Sequence, residues 1–290
     1  MISIIIPTYN RANLIERAIR NIFEQTYSDI ELIVVDDGST DETEKILSSI
    51  DDQRLKYVRY TPNKGANHAR NVGMDNATGE YIAFQDSDDL WEKNKLKKQV
   101  EKLLEENADY CVCRMYTDDQ AKTMLHRPNF CHVDMTLENE LKRNFVSTQI
   151  LIAKRDVFAV HRFDENFPRF QDWDIAIRIV KDFKGAFCDE ILCTRYRQEV
   201  SISNRKGINL VGYRLLFQKY KELYGQHPTA KVEILRRIAR ATENADERIA
   251  WFEQAAKMNQ SLTIRLEIFL SKIGLYDAVY NARKAMTNAK

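Results

Sequence analysis

Ile2-Ser3-Ile4-Ile5-Ile6 opens the chain with a β-branched apolar run closed by Pro7, the pattern of a strand buried on both faces. From about Asn13 to Gln25, Leu14, Ala18, Ile19, Ile22 and Phe23 recur at helical spacing and predict an amphipathic helix. Ile30 to Val35 predicts a second buried strand, stopped by Asp36-Asp37-Gly38. Ser39 and Glu42 match a capping box, which predicts a helix from about Thr40 to Ser49. A third strand is expected over Leu55 to Tyr60, a helix over Asn67 to Asn76, and a fourth strand over Tyr81 to Phe84. A long helix then carries Leu96, Val100, Leu103 and Leu104 on one side. This alternation predicts an α/β fold built on one open, mostly parallel, Rossmann-like sheet with helices on both faces.

Composition narrows the picture. The 290 residues are 44% hydrophobic with mean hydropathy −0.50, enough for one large α/β domain with a helical appendage. No apolar run approaches the roughly 18 residues that cross a bilayer. Met1 leads straight into the first strand without the features of a signal peptide, and the five cysteines are an odd number. Both point to a reducing cytoplasm. With 44 Lys+Arg against 43 Asp+Glu the net charge is +1, which removes the simplest argument for a nucleic-acid partner.

The balance is uneven along the chain. Residues 206–290 hold 15 Lys+Arg and 8 Asp+Glu, a net of +7, leaving −6 for residues 1–205. The polar stretch Ser201 to Gly207 is therefore the expected boundary between an N-terminal domain, 1–205, and a basic helical region, 206–290. In that region Arg236, Arg237 and Arg240 share one helical stretch, while Leu266, Phe269, Leu270 and Ile273 form an apolar stripe. Such a stripe suits packing on the first domain, a homo-oligomer contact through the C-terminal helices, or peripheral contact with an anionic membrane, here the inner face of the cell membrane.

In an open α/β sheet, ligands bind at the carboxyl ends of the strands. Three polar clusters fall there: Pro7-Thr8-Tyr9-Asn10-Arg11, Asp36-Asp37-Gly38-Ser39, and Asp86-Ser87-Asp88-Asp89. Asp and Gly also end strands and cap helices for structural reasons, so either acidic cluster alone is ambiguous. Asp37 and Asp88 at neighbouring strand ends, with Tyr9 beside them, say more. Crowded carboxylates repel unless a cation or a hydrogen-bond donor is present. Hard divalent cations such as Mn²⁺ or Mg²⁺ take oxygen ligands together with substrate phosphates. Neither a Gly-x-Gly-x-x-Gly nor a phosphate-cradling P-loop follows the first strand, which favours a metal-bridged diphosphate. Arg70, on the helix after the third strand, can reach the same edge. Cys111-x-Cys113 followed by Cys131 and His132 fits no zinc-finger spacing, and Cys111-Val112-Cys113 predicts a buried strand.

Ile4 to Arg11, Gln25 to Asp41, Asn63 to Gly73 and Gly79 to Asp89 together resemble the opening of family 2 glycosyltransferases of the GT-A fold, in order and spacing, over about the first 90 residues. The resemblance implies an inverting hexosyl- or N-acetylhexosaminyl-transferase that takes its sugar from a nucleotide-sugar, most naturally a UDP-sugar. Bacterial surface-polysaccharide synthesis is the implied setting, with a glycan or lipid-linked acceptor. It assigns Pro7, Tyr9, Asp37 and Arg70 to the donor nucleotide. It matches Asp86 and Asp88 to the family's Asp-x-Asp, with Asp88 the metal ligand of choice and Asp86 shared between nucleotide and metal. The family's catalytic base matches Asp172 within Arg169-Phe170-Gln171-Asp172-Trp173-Asp174, with Asp174 the nearest competitor.

Two departures stand out. Gln171 replaces the usual Glu, and Gln198 stands where many relatives carry His, so Arg195, Arg197 or Arg205 become candidate diphosphate contacts. The Gln-x-x-Arg-Trp motif of processive relatives is absent. Two alternatives remain open: an inactive relative serving as a binding subunit, and a sugar nucleotidyltransferase, which would want a Gly-rich first loop.

Overall fold

The computed structural model describes residues 1–118, 135–196 and 207–288, apart from the side chains of 118 and 283–288. Two compact units divide the chain. The first comprises Met1–Glu140, Asn144–Asn166 and Gln171–Ser201. The second comprises Leu141–Arg143, Phe167–Phe170 and Ile202–Lys290.

The strands of the first unit are β1 (Ile2–Thr8), β2 (Ile30–Asp36), β3 (Leu55–Arg59), β4 (Tyr81–Phe84), β5 (Leu90–Trp91), β6 (Tyr110–Asp118), β7 (Leu151–Lys154) and β8 (Gly185–Tyr196). They form one sheet in the order β3-β2-β1-β4-β7-β6-β8-β5. The run β3-β2-β1-β4 is parallel throughout, as the alternating pattern predicts. Beyond β4 the sheet is mixed: β7 is antiparallel to both β4 and β6, β6 is parallel to β8, and β5 closes antiparallel to β8.

Apolar content explains the core strands. Ile2, Ile4, Ile5, Ile6, Leu32, Ile33, Val34, Val35, Ala83 and Phe84 are fully buried, as continuous apolar runs covered on both faces should be. Pro7 lies inside β1 rather than ending it. Its ring falls beyond the last β1–β4 pair, Ile5↔Phe84, where a missing N–H costs the ladder least. Cys111 and Cys113 lie buried as free thiols in β6, as expected of a core strand; Cys131 and His132 lie outside the described residues.

The helices up to residue 182 are α1 (Ile15–Phe23), α2 (Thr43–Ser48), α3 (Ala66–Asp75), α4 (Lys95–Glu106), α5 (Leu137–Lys142), α6 (Arg155–Val160) and α7 (Gln171–Asp182). α2 starts three residues later than the capping box predicts. The Ser39 hydroxyl accepts from the Asn10 backbone N–H at 2.9 Å instead of capping the helix, and Asp41 receives the Thr43 N–H at 3.0 Å. α3 packs on β1 through Gly73, where a Cβ would stand 2.4 Å from Ile5 Cγ2.

The second unit carries α8 (Ile208–Lys219), α9 (Lys221–Gln226), α10 (Pro228–Ala241), α11 (Ala245–Met258), α12 (Leu262–Lys272) and α13 (Tyr276–Asn288). Asn244 and Ser261 cap α11 and α12 by accepting the Glu247 and Ile264 backbone N–H groups. Val232, Leu235, Ala255 and Ile264 pack together as its core. Glu267 turns inward and receives both Arg236 and Arg240, so these predicted basic residues serve the helix packing.

Candidate active site

Parallel register aligns the strand ends. Thr8 pairs with Asp36 and Ile5 with Phe84, so the loops after β2, β1 and β4 leave the same edge in that order. β1 is the strand from which connections diverge to either side, the position where such sheets open a ligand crevice.

The loops after β1 and β2 are laced together. Asn10, with φ 52°, accepts the Thr40 backbone N–H through its side-chain oxygen at 2.8 Å, and Arg11 N donates to Thr43 Oγ1 at 3.1 Å. A left-handed turn suits Asn, whose short amide can satisfy neighbouring backbone. The turn leaves Tyr9 44% exposed, an aromatic face free to stack. Pro7 is buried.

Asp37 is only 3% exposed, and each of its oxygens accepts a backbone N–H. Lys64 N–H donates to one at 2.7 Å and Gly65 N–H to the other at 2.8 Å. Asp37 therefore fixes the loop that leads into α3. Asp36 is likewise structural, accepting from Ser39 N–H at 2.8 Å and the Tyr57 hydroxyl at 3.0 Å.

The Asp86 carboxylate is gripped on both sides. Arg70 Nη2 donates to Oδ1 at 2.8 Å, and the Gln149 side-chain amide donates to Oδ2. Arg70 is 4% exposed, and its Nε and Nη1 have no partner. Asp89 is 1% exposed: Oδ1 accepts the Tyr196 N–H at 3.2 Å, while Oδ2 is buried without a partner. One oxygen each of Asp86, Asp88 and Asp89 lies within 4.8 Å of the others. Burial, then the neighbouring Asp86 charge, raises the Asp88 carboxyl above its ordinary range; the same causes push Asp89 well up. Crowded carboxylates with an orphaned buried oxygen fit a hard divalent cation, for which Asp88 and Asp89 would supply ligands and Asp86 a third. Asp89 and Gln149 were not singled out from the sequence.

Asp172 lies in the first turn of α7, sharing no described hydrogen bond with the Asp86 cluster. Oδ2 accepts from Asn144 Nδ2 and Oδ1 from the Trp173 N–H, each at 2.9 Å. Asp174, its competitor, is fully buried and bound to Arg178 Nη2 at 2.6 Å. Asp172, by contrast, is partly exposed. Arg197, Gln198 and Arg205 lie outside the described residues.

A parallel half-sheet with an aromatic loop after β1 and an acidic triad after β4 defines a GT-A-type glycosyltransferase. Residues 3–165 match the model of glycosyl transferase family 2, and the chain belongs to that family. A putative teichuronic acid biosynthesis glycosyltransferase of Bacillus subtilis is 33% identical over 158 residues, spanning 54% of this chain and 63% of that relative. An Escherichia coli UDP-Glc:alpha-D-GlcNAc-diphosphoundecaprenol beta-1,3-glucosyltransferase is 31% identical, spanning 71% of this chain and 81% of that one.

Solved structures support the fold. S. aureus TarS 1-349 in complex with UDP-GlcNAc matches at TM-score 0.72 and 19% identity, over 95% of this chain and 88% of that one. A Pyrobaculum calidifontis mannosyltransferase in complex with GDP-Man and Mn²⁺ matches at 0.64 and 19%, over 97% and 86%.

Proposed function

We propose that the protein is a metal-dependent, inverting, non-processive glycosyltransferase that moves a hexosyl or N-acetylhexosaminyl unit from a UDP-sugar to a hydroxyl of a glycan or lipid-linked acceptor. The observation that carries it is the crowding of Asp86, Asp88 and Asp89 after β4, with Tyr9 exposed in the loop after the neighbouring strand β1. The names of the two relatives, one a glucosyltransferase using UDP-Glc and a diphosphoundecaprenol-linked acceptor, support the donor and acceptor classes.

In this reading Tyr9 stacks on the nucleobase, and Asp37 holds the 64–65 backbone that frames the nucleotide. Arg70 orients Asp86. A divalent cation, Mn²⁺ or Mg²⁺, held by Asp88 with Asp86 and Asp89, would offset negative charge on the departing diphosphate. Asp172 takes the acceptor hydroxyl proton as that oxygen bonds to the anomeric carbon. The bond from that carbon to the diphosphate oxygen breaks with its electron pair leaving on the nucleotide, which inverts the centre. The loop Pro7-Thr8-Tyr9-Asn10-Arg11 is not the Gly-rich loop of a nucleotidyltransferase.

The test is a panel of UDP- and GDP-sugars with Mn²⁺ or Mg²⁺, read as nucleotide release. A UDP-sugar turned over only with metal is expected. No turnover and no thermal stabilisation by any member would overturn the reading in favour of an inactive binding subunit.

Among the described residues no helix is long and apolar enough to cross a membrane. α12 and its C-cap residue Ile273 nevertheless expose Leu262, Leu266, Phe269 and Ile273, on the side opposite the buried Ile264 and Ser271. Arg265 borders that stripe, while the acidic Glu267 is drawn inward to Arg236 and Arg240. This one-sided face suits an interfacial helix at an anionic bilayer on the cytoplasmic side, close to a lipid-linked acceptor. Co-sedimentation with phosphatidylglycerol vesicles is expected, and Leu266→Asp with Phe269→Asp should reduce it at least several-fold. Absence of binding together with a concentration-dependent dimer would assign the stripe to a second copy instead.

A further inference from the structure

One short segment touches both halves of the chemistry. Asn144 donates to the Asp172 carboxylate at 2.9 Å, and Gln149, five residues on, donates to the Asp86 carboxylate. Five residues reach at most about 18 Å, so the segment is a direct covalent link between the acceptor-side carboxylate and the acidic cluster.

The segment is itself braced. Glu140 in α5 is 2% exposed, and its carboxylate receives the Phe145 backbone N–H at 3.2 Å. The Glu140 carbonyl receives the Trp173 indole N–H at 2.6 Å, tying α5 to the first turn of α7. At the other end the short 3₁₀ turn Thr148–Ile150 runs directly into β7, which pairs with β4.

Two nearby carboxylates are thus given different surroundings. Glu140 is enclosed, and burial raises its carboxyl well above the ordinary range, with the Asp172 charge adding to the rise. Asp172, partly exposed, receives an amide N–H from Asn144 that points its oxygens. Each carboxylate oxygen has a second lone pair, so both hydrogen bonds can persist while Asp172 accepts a proton.

Resting on the reading of Asp172 as base and Asp86 as part of the metal site, we propose that residues 144–149 form a positioning element whose two amides divide the labour. Asn144 orients Asp172 for proton removal, and Gln149 orients Asp86 for donor and metal. Neither need touch the reacting atoms, so both are positioning residues.

The test uses the full chain and the UDP-sugar found in the donor panel. Asn144→Ala should lower kcat about 10–100-fold with the donor KM within about twofold, the cost of a misplaced group. Asn144→Asp, isosteric but acceptor-only toward Asp172, should be no better than Ala. If Asn144 only fills space, Asp should instead restore activity above Ala. Gln149→Ala should show the opposite split, weakening calorimetric binding of UDP with Mn²⁺ several-fold more than it lowers kcat.

In an Asp172→Asn background, Asn144→Ala should cost nothing further, as expected of residues acting as one unit. An active Asp172→Asn protein would sink the base assignment. An inactive one, with Asn144→Ala near wild type or with identical kcat and binding losses in the Asn144 and Gln149 variants, would overturn the positioning role alone.

Discussion

Asp172→Asn is expected to reduce sugar transfer by roughly 10²–10⁴-fold while leaving the fold and nucleotide binding near wild type. The substitution is nearly isosteric and removes the lone-pair basicity that proton removal requires. Both hydrogen bonds at Asp172 come from donors, Asn144 Nδ2 and the Trp173 backbone N–H. The new amide keeps one acceptor oxygen, so it can retain one of these bonds if its NH₂ turns to the acceptor side. The helix start should hold in any case, because the Trp173 indole remains bonded to the Glu140 carbonyl. Measured side by side, turnover of the UDP-sugar should collapse while the thermal shift on adding UDP and Mn²⁺ persists. Retention of more than a tenth of the wild-type rate would remove Asp172 from the role. Asp174 could not readily inherit it, being buried and bound to Arg178, so the base would then lie outside this helix.

The parts legible in the sequence are those set by local rules. Apolar runs such as Ile2 to Ile6 and Ile30 to Val35 read as buried strands because burial on both faces leaves no alternation. The polar residues after them mark one sheet edge because the strands run parallel. Local pattern alone therefore points Tyr9, Asp86, Asp88 and Arg70 to a common edge.

What the sequence hid depends on long-range pairing. β7 joins β4 from 69 to 73 residues away in the chain, as Ala83↔Ile152 and Tyr81↔Lys154 record, and no periodicity announces such a partner. Gln149 reaches Asp86 only because of that pairing, and Asn144 reaches Asp172 only because Glu140 anchors its loop. The capping box failed for a related reason. Ser39 can satisfy a helix N-terminus or the Asn10 N–H, and tertiary lacing of the two strand-end loops wins. Asp37 shows the same ambiguity in a functional residue. Its position matches a nucleotide contact, and its two oxygens also hold the Lys64 and Gly65 N–H groups, a structural task that the sequence does not announce.

Asp88→Ala should abolish metal-dependent turnover, a loss of roughly 10²–10⁴-fold if the cation supplies several kcal/mol of charge stabilisation. The fold should not suffer. Burial and the Asp86 charge already disfavour the ionised Asp88 carboxyl, so removing it relieves repulsion within the Asp86, Asp88 and Asp89 group. A purely structural carboxylate would behave in the opposite way, with its loss costing stability and leaving metal response intact. Thermal melts separate the two. Without ligand, the Asp88→Ala protein should melt at or above the wild-type temperature. With UDP and Mn²⁺ the wild type should gain the stabilisation expected of a ligand bound only by the native state, and the variant should lose most of it. UDP alone should shift both proteins equally, because Tyr9 and the loop held by Asp37 are untouched. A variant that keeps the Mn²⁺-dependent shift would move the metal to Asp86 and Asp89. The unpartnered Asp89 Oδ2 would then be the next oxygen to remove.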